Sequence, residues 1–364
     1  MTRFRKLLLA AIAAVACAPA ARAAEVDPLL PKEAEQVIFI NFKQLLGCDL
    51  VTRLMVPKVA EVLKKGEAEA VIEALGIDPY KDISDVTIAL WEQDAKALPS
   101  AEPEPAQPVK PQPAQPEPGQ PTQPGTRRTQ GPGQNVVAIV RGKFDPRKLW
   151  KAAGEFSTKY PDLVTIVTED GLKMVKAGDR DRPLYVLVAD EKTLIAATSP
   201  TQLADCLKAK TAKAKAALNR ELAALILRQD GKASMYMCQL LEGKLARTPL
   251  KGAKIPGVDG ESFGEQLGHI LSFSLTARVG KDISLEVTAG MKNADAAEGF
   301  GVTVGKMLDL AKTFLPLAAV QLPKAARLTE DVTKTVKHEV KKSDVVVTVK
   351  LSPEGLALAL GEDE

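Results

Sequence analysis

The run Gly260-Glu-Ser-Phe-Gly264 is a G-x-S-x-G pattern centred on Ser262, and Asp295, Asp309 and Asp331 follow it, with His338 beyond them. That is the chain order Ser…Asp…His of an α/β-hydrolase triad, in which the histidine takes the serine proton and a carboxylate orients the histidine. The chemistry makes structural demands. The serine must sit on a sharp turn between a buried strand and a helix, with hydrogen-bond donors facing the developing oxyanion. Here the approach, LKGAKIPGVDG, is a Gly/Lys/Pro loop without strand pattern, EQLG after it holds at most one helical turn, and no HGGG-like run precedes it. Ser262 is therefore read as part of a surface loop, and a serine hydrolase using Ser262 and His338 is the alternative reading.

The other residues capable of chemistry fall short of a site. GVTVGKM (301–307) has three residues between its glycines where a phosphate-binding loop needs four, and Met307 stands where the hydroxyl belongs. Val302, Met307, Leu308 and Leu310 instead predict a helix packed on a sheet. The two histidines, His269 and His338, lie in separate predicted strands, and no C-x-x-C, H-x-x-x-H or EF-hand spacing occurs, so no metal or cofactor is expected. His338 shares strand parity with Val336 and Val340, which places it at the edge of a core. Cys206 and Cys238 either pair across the middle of the chain or lie buried as separate thiols. Lys208, Lys210, Lys213, Lys215 and Arg220 spread around the axis of one predicted helix, the pattern of a solvated connector.

The N-terminus sets the compartment. MTRFRKLLLAAIAAVACAPAARAAEVDP has a basic start, an apolar run from Leu7 to about Ala18 and an A-x-A site at Ala21-Arg22-Ala23. This predicts a signal peptide over 1–23 and an exported chain beginning at Ala24; the run is too short to span a bilayer, and no later segment is long enough. Cys17 in AVAC loosely resembles a lipoprotein box, giving a lipid anchor at Cys17 as a second reading. Removing 1–23 takes away four cations and no acid. Lys+Arg falls from 49 to 45 against 46 Asp+Glu, turning a net charge of +3 into about −1. Such a chain lacks the surplus of cations that a nucleic-acid binder needs. Three scattered cysteines, Cys48, Cys206 and Cys238, are too few for a disulfide framework.

The elements that must position any site alternate between short β runs and helices. EQVIFINF (35–42), SDVTIALWE (84–92) and NVVAIVRGKF (135–144) are strand-like, and Pro57 breaks or begins a helix between the first two. DPRKLWKAAGEFS is a helix capped by Asp145 with Pro146 in its first turn. Hairpins are expected around Asp170-Gly171, Asp190-Glu191 and Gly280-Lys281, and a fourth within VTKTVKHEVKKSDVVVTVKLS. A Lys- and Ala-rich helix is expected over about 208–228, and another over NADAAEGFGVTVGKMLDLAKTFL.

Two halves of the chain follow one order. TLIAATSPTQLADCL and VVVTVKLSPEGLALAL both run strand, Ser-Pro, short helix, with Ser199 and Ser352 as caps. The expectation is an α+β protein of two related units, 24–210 and 211–364, each a mainly antiparallel, hairpin-rich sheet with helices on one face. The Pro/Gln-rich tract 97–134 then falls at a hairpin tip inside the first unit. Its composition cannot supply a core and predicts a disordered or polyproline-II-like insertion.

The opening LLPKEAEQVIFINFKQLLGCDLV resembles that of uncharacterised secreted proteins of planctomycete bacteria, in which an LP start, a strand and an xQLLxxxLV helix recur. The resemblance implies an extracytoplasmic location and a hairpin-rich α+β fold, and it brings no activity or site residues. The sequence as a whole points to a non-catalytic component of the bacterial envelope or periplasm. Its expected partner is another envelope protein or a surface polymer.

Overall fold

The computed structural model describes residues 23–53, 56, 77–92, 134–178, 183–211, 218–242, 260–321 and 323–359. The leader with Cys17, Pro57, Lys213, Lys215 and residues 97–133 of the Pro/Gln tract lie outside them.

In chain order the described elements begin with β1 (Gln36–Ile40), α1 (Phe42–Leu46), α2 (Pro79–Asp82), β2 (Ile83–Glu92), β3 (Gln134–Gly142) and α3 (Pro146–Lys159). Four strands follow: β4 (Val164–Glu169), β5 (Leu172–Ala177), β6 (Leu184–Asp190) and β7 (Thr193–Ala197). Next come α4 (Pro200–Thr211), α5 (Arg220–Leu227), β8 (Met235–Leu240), α6 (Gly260–Gly268), β9 (Ile270–Val279) and β10 (Ile283–Met291). The chain continues through α7 (Ala294–Gln321), a 3-10 turn (Pro323–Ala325), α8 (Ala326–Thr335), β11 (Lys337–Lys341), β12 (Asp344–Leu351) and α9 (Pro353–Ala359).

Local chemistry explains where these elements start and turn. The Asp145 carboxylate accepts from the N–H groups of Arg147 (3.0 Å) and Lys148 (3.2 Å), satisfying two orphan donors at the start of α3. Ser199 does the same for Gln202 at the start of α4. The β4–β5 turn is Asp170-Gly171, with φ of 50° and 75°, the left-handed conformations that a two-residue hairpin demands. The β6–β7 turn sits one residue later than expected, at Glu191-Lys192, because the register shifts between Val188 and Asp190. Residues 332–335 end helix α8 instead of opening the last hairpin, which starts at Lys337. The helix expected over 208–228 is not continuous either. α4 stops at Thr211, and Asn219 caps a new helix by accepting from the Glu221 N–H at 2.8 Å.

All twelve strands join one antiparallel sheet in the order β11-β12-β10-β9-β8-β1-β2-β3-β7-β6-β5-β4. Near its middle β1 pairs with β8, with Val37 opposite Cys238, so strands on either side of residue 210 share a single sheet. β2 and β3 are antiparallel neighbours, and Glu92 faces Gln134 at their open end.

The two faces follow from register. Val37, Val137, Ile139, Ile195, Cys238 and Leu240 point to one side and are buried with Leu203 of α4 and with Leu222 and Ile226 of α5. Each such side chain, taken fully out of water, contributes about 1.5–3 kcal/mol. Phe273 pairs with Gln239, the neighbour of Cys238 along β8, and therefore lies on the opposite side. There Ala289 and Val345 pack with Ala297 and Phe300 of α7 and with Phe263 of α6. Helices thus cover both faces of the sheet, not one as expected. The reason is that the inward parity switches between the central strands and β10–β12. Strand β11, KHEVK, is exposed at all five positions, and charged side chains guard that sheet edge.

Candidate functional site

Alternation along the central strands brings a polar group onto the otherwise apolar helix-bearing face. Thr87 faces Phe39, Phe39 faces Tyr236, and Asp85 faces Arg141 across neighbouring strands. The segment 23–30 passes over these residues and leaves a half-open cavity of about 420 Å³, rimmed by Glu25, Asp27 and Gly231. The Phe39 and Tyr236 rings stack with centroids 4.9 Å apart. The Arg141 guanidinium donates to the Asp27 carboxylate at 2.8 Å and to the Thr193 hydroxyl at 3.3 Å, tying the overlying segment to the sheet. Asp85 accepts from the Ser84 hydroxyl at 2.8 Å. Burial, with the nearby charges of Cys238, Asp27 and Asp85 adding to it, pushes the Tyr236 phenol well above its usual value, so it stays protonated and polar.

A second ion pair, Arg278 with Asp230 at 2.9 Å, stands beyond β8 on the same side. Burial is the largest single influence on Asp230 and pushes its carboxyl up. The Lys232 N–H and the Arg278 guanidinium, with the charges of Arg278 and Lys232, outweigh it and hold the carboxyl below its ordinary range.

The residues singled out in the sequence lie elsewhere. GESFG is helix, not loop: it forms the start of α6, whose Phe263 and Leu267 pack toward Phe300 while Ser262 faces outward. His338 is exposed on β11, and its ring lies against α7 at Gly305, where an added Cβ would meet Cε1 and Nε2 at 3.0 Å. Asp331 is committed to α9, accepting from the Ser352 N–H at 2.8 Å and from its hydroxyl at 2.5 Å. His269 contacts the Lys292 amine through Nε2 at 2.6 Å. Cys206 and Cys238 are separate, buried thiols, pushed up to about 12 chiefly by that burial. Lys208 and Lys210 pair with Asp205 and Asp190. Among the described residues no group of three potential ligands could hold a metal ion, and no helix is long and apolar enough to cross a membrane.

One surface feature stands apart. Helix α7 buries Ala297, Phe300 and Gly301 but leaves Val302, Phe314, Leu317 and Val320 at 54–78% exposure. Val302 was expected to pack on the sheet and instead points away from it. From Leu310 to Thr329 the chain has no acid and carries Lys312, Lys324 and Arg327.

No family model matches this chain. No curated protein matches it either. Among solved structures, crystal form III of TP0453 aligns with 93% of this chain and 99% of its own at a TM-score of 0.46 and 8% identity. Crystal form I aligns with 93% and 97% at a TM-score of 0.45 and 9% identity.

Proposed function

We propose that this protein is a non-catalytic, extracytoplasmic binding component of the bacterial envelope, and that the corner from α7 to α8 is its contact surface for a partner protein. The observation that carries the reading is the run Phe314, Leu317 and Val320, three exposed apolar side chains on successive turns of one helix. Large apolar groups gathered on a surface mark an interaction site. Lys312 flanks this run, and Arg327, paired with Glu330 at 3.3 Å, stands beyond it. The stretch 310–329 itself carries no acid, which favours a partner whose contact is apolar at its centre and acidic at its rim. The leader over 1–23 supports the location, and a lipid anchor at Cys17 is the second form of the same reading.

We infer that the chain is built from two related units. Outward from the β1–β8 pair, β1-β2-β3-β7-β6 on one side matches β8-β9-β10-β12-β11 on the other. α3 and α7 follow the matching strands β3 and β10, and α4 and α9 both begin at Ser-Pro. In that scheme the tract 97–134 is an insertion at the tip of the β2–β3 hairpin, where the second unit has the tight β9–β10 turn.

Photo-crosslinkers placed at positions 317 and 320 in producing cells test the function, with position 298 on the outer side of the same helix as control. The expected result is one specific adduct from 317 and 320, weakened on Lys312→Glu substitution. Adducts equal to those of position 298, or none, would refute the contact surface. Labelling of wild type but not Ser262→Ala by a serine-reactive probe would favour the hydrolase. Mass spectrometry of the mature N-terminus separates a lipidated Cys17 from a free Ala24.

A further inference from the structure

The two ends of the sheet are built differently. At one end β11 carries Lys337, Glu339 and Lys341 among its five exposed residues, and charges of that kind discourage another strand from pairing there. At the other end β4 reads VTIVTE, with no lysine, proline or bulge and its one charge at the last residue, Glu169. The two-residue turn at Asp170-Gly171 makes Glu169 and Leu172 a hydrogen-bonded pair, so the backbone groups of Thr165, Val167 and Glu169 are used on β5. The Gly178 N–H, donating to the Leu163 carbonyl at 3.1 Å, continues the same alternation. The backbone groups of Val164, Ile166 and Thr168 point the other way, off the sheet. The Tyr160 carbonyl accepts from the Val164 N–H at 3.0 Å and closes it. Among the described residues no group pairs with the outward N–H and C=O of Ile166 or Thr168.

We propose that β4 is a dimerisation edge, pairing antiparallel with β4 of a second copy about a two-fold axis at Val167. This register sets Thr168 of each copy opposite Ile166 of the other. All four open backbone groups of each strand are then answered, and the closed Val164 N–H is not needed. An axis at Ile166 would set Thr168 opposite Val164 and leave the Thr168 carbonyl without a donor. Charge favours the same register. Glu169 falls opposite Thr165 of the second copy, whose neighbour on β5 is Lys176. The two strand spacings between Glu169 and that Lys176 come to about 10 Å between backbones, a gap that two long side chains close. Among the described residues neither side chain forms an ion pair within its own chain. Val167, which packs against the main core, meets its own copy at the axis. The dimer joins two twelve-stranded sheets into one. β4 lies at the far end of the sheet from β11, on which α7 packs, so this reading and the α7–α8 contact surface can fail independently.

Analytical ultracentrifugation of the purified protein over a range of concentrations tests the proposal, and a monomer–dimer equilibrium is expected. Thr168→Pro removes one outward N–H per copy and leaves the β4–β5 ladder intact, so it should weaken the dimer about tenfold or more. Glu169→Lys should weaken it as well, and adding Lys176→Glu should restore it. In a Cys48→Ser background, Val167→Cys should form an intermolecular disulfide with oxidised glutathione, since directly opposed residues at the axis have a Cα spacing of about 4.5 Å. Circular dichroism checks that each variant folds. A monomer at every concentration up to the high micromolar range overturns the proposal. So does a dimer that folded Thr168→Pro and Glu169→Lys both leave unchanged, one that Leu317→Glu dissociates instead, or a dimeric Val167→Cys protein that does not crosslink.

Discussion

Two glycines of α7, two residues apart, provide a controlled test of how the last hairpin is docked. Gly299 is exposed, and a Cβ built on it meets nothing within 4 Å. Gly301 is buried, and its Cβ would stand 2.4 Å from Cγ2 of Val340 on β11. Carbon atoms in contact prefer about 3.5–4.0 Å, so the added methyl is more than about 1 Å too close. Replacing either glycine by alanine gains the same helix propensity, about 0.8–1.0 kcal/mol. Only Gly301→Ala adds an overpacking cost, about 1–3 kcal/mol. Propensity cancels in the difference between the two variants, which leaves Gly301→Ala less stable than Gly299→Ala by about 1–3 kcal/mol. Urea unfolding at unchanged m-value measures it directly. Combining Gly301→Ala with Val340→Ala should recover part of the loss, since the substitution removes the Cγ2 methyl that the new Cβ would meet. Equal stability of the two glycine variants, or no recovery in the double variant, would refute the packing of β11 on α7.

Three further outcomes are expected. The Asp230 carboxyl is held below its ordinary value of 3.8 in the folded chain, so its stabilisation is complete above that value and is lost as pH falls through the lower folded pKa. Asp230→Asn should therefore be less stable than wild type at neutral pH, with the gap closing in acid, as denaturation at pH 7 and pH 3 would show. A thiol reagent at pH 8 should label Cys48 in the folded protein and spare Cys206 and Cys238, whose thiols burial pushes up to about 12; mass spectrometry with and without denaturant checks this. Replacing the 41 residues between Glu92 and Gln134 by a five-residue turn should stabilise the protein by about 2 kcal/mol, the loop-closure entropy recovered if the tract behaves as a flexible connector. A loss of stability would mean that the tract makes contacts of its own.

Much of the element pattern was legible because short-range chemistry sets it. The cap at Asp145, the Asp170-Gly171 turn and the Ser199-Pro200 helix start depend only on neighbours in sequence. The helix of α6 was missed because its apolar pair, Phe263 and Leu267, spans one turn amid three glycines and acids, too little periodicity to outweigh them. Packing against Phe300, a residue more than thirty positions later, holds it. The exposed side of α7 was missed for the opposite reason. Val302, Phe314, Leu317 and Val320 look in sequence like core, and only the folded chain leaves them uncovered.

The cavity sat in the alternation without being recognised. Val137, Ile139 and Arg141 share one parity of β3, and Asp85, Thr87 and Ala89 share one of β2, so each strand carries a charge at a position its neighbours bury. A charge at inward parity needs a partner or an opening to solvent. For Arg141 the partner is Asp27, 114 positions away, a pairing that no local pattern specifies. Asp85 and Tyr236 reach the same place from strands brought together only by the β1–β2 and β1–β8 pairings. The Arg141–Asp27 bridge also fixes the segment that forms the cavity's rim. Weakening it with Arg141→Met should loosen residues 23–30 while the sheet stays intact, because the strand pairing is carried by the backbone. Hydrogen exchange would then show lost protection at Leu29 and Leu30, whose backbone N–H groups both donate to Asp27, with β1 and β8 unchanged. Protection unaltered at both would mean that the apolar anchors Leu29 and Leu30 hold the rim without the ion pair.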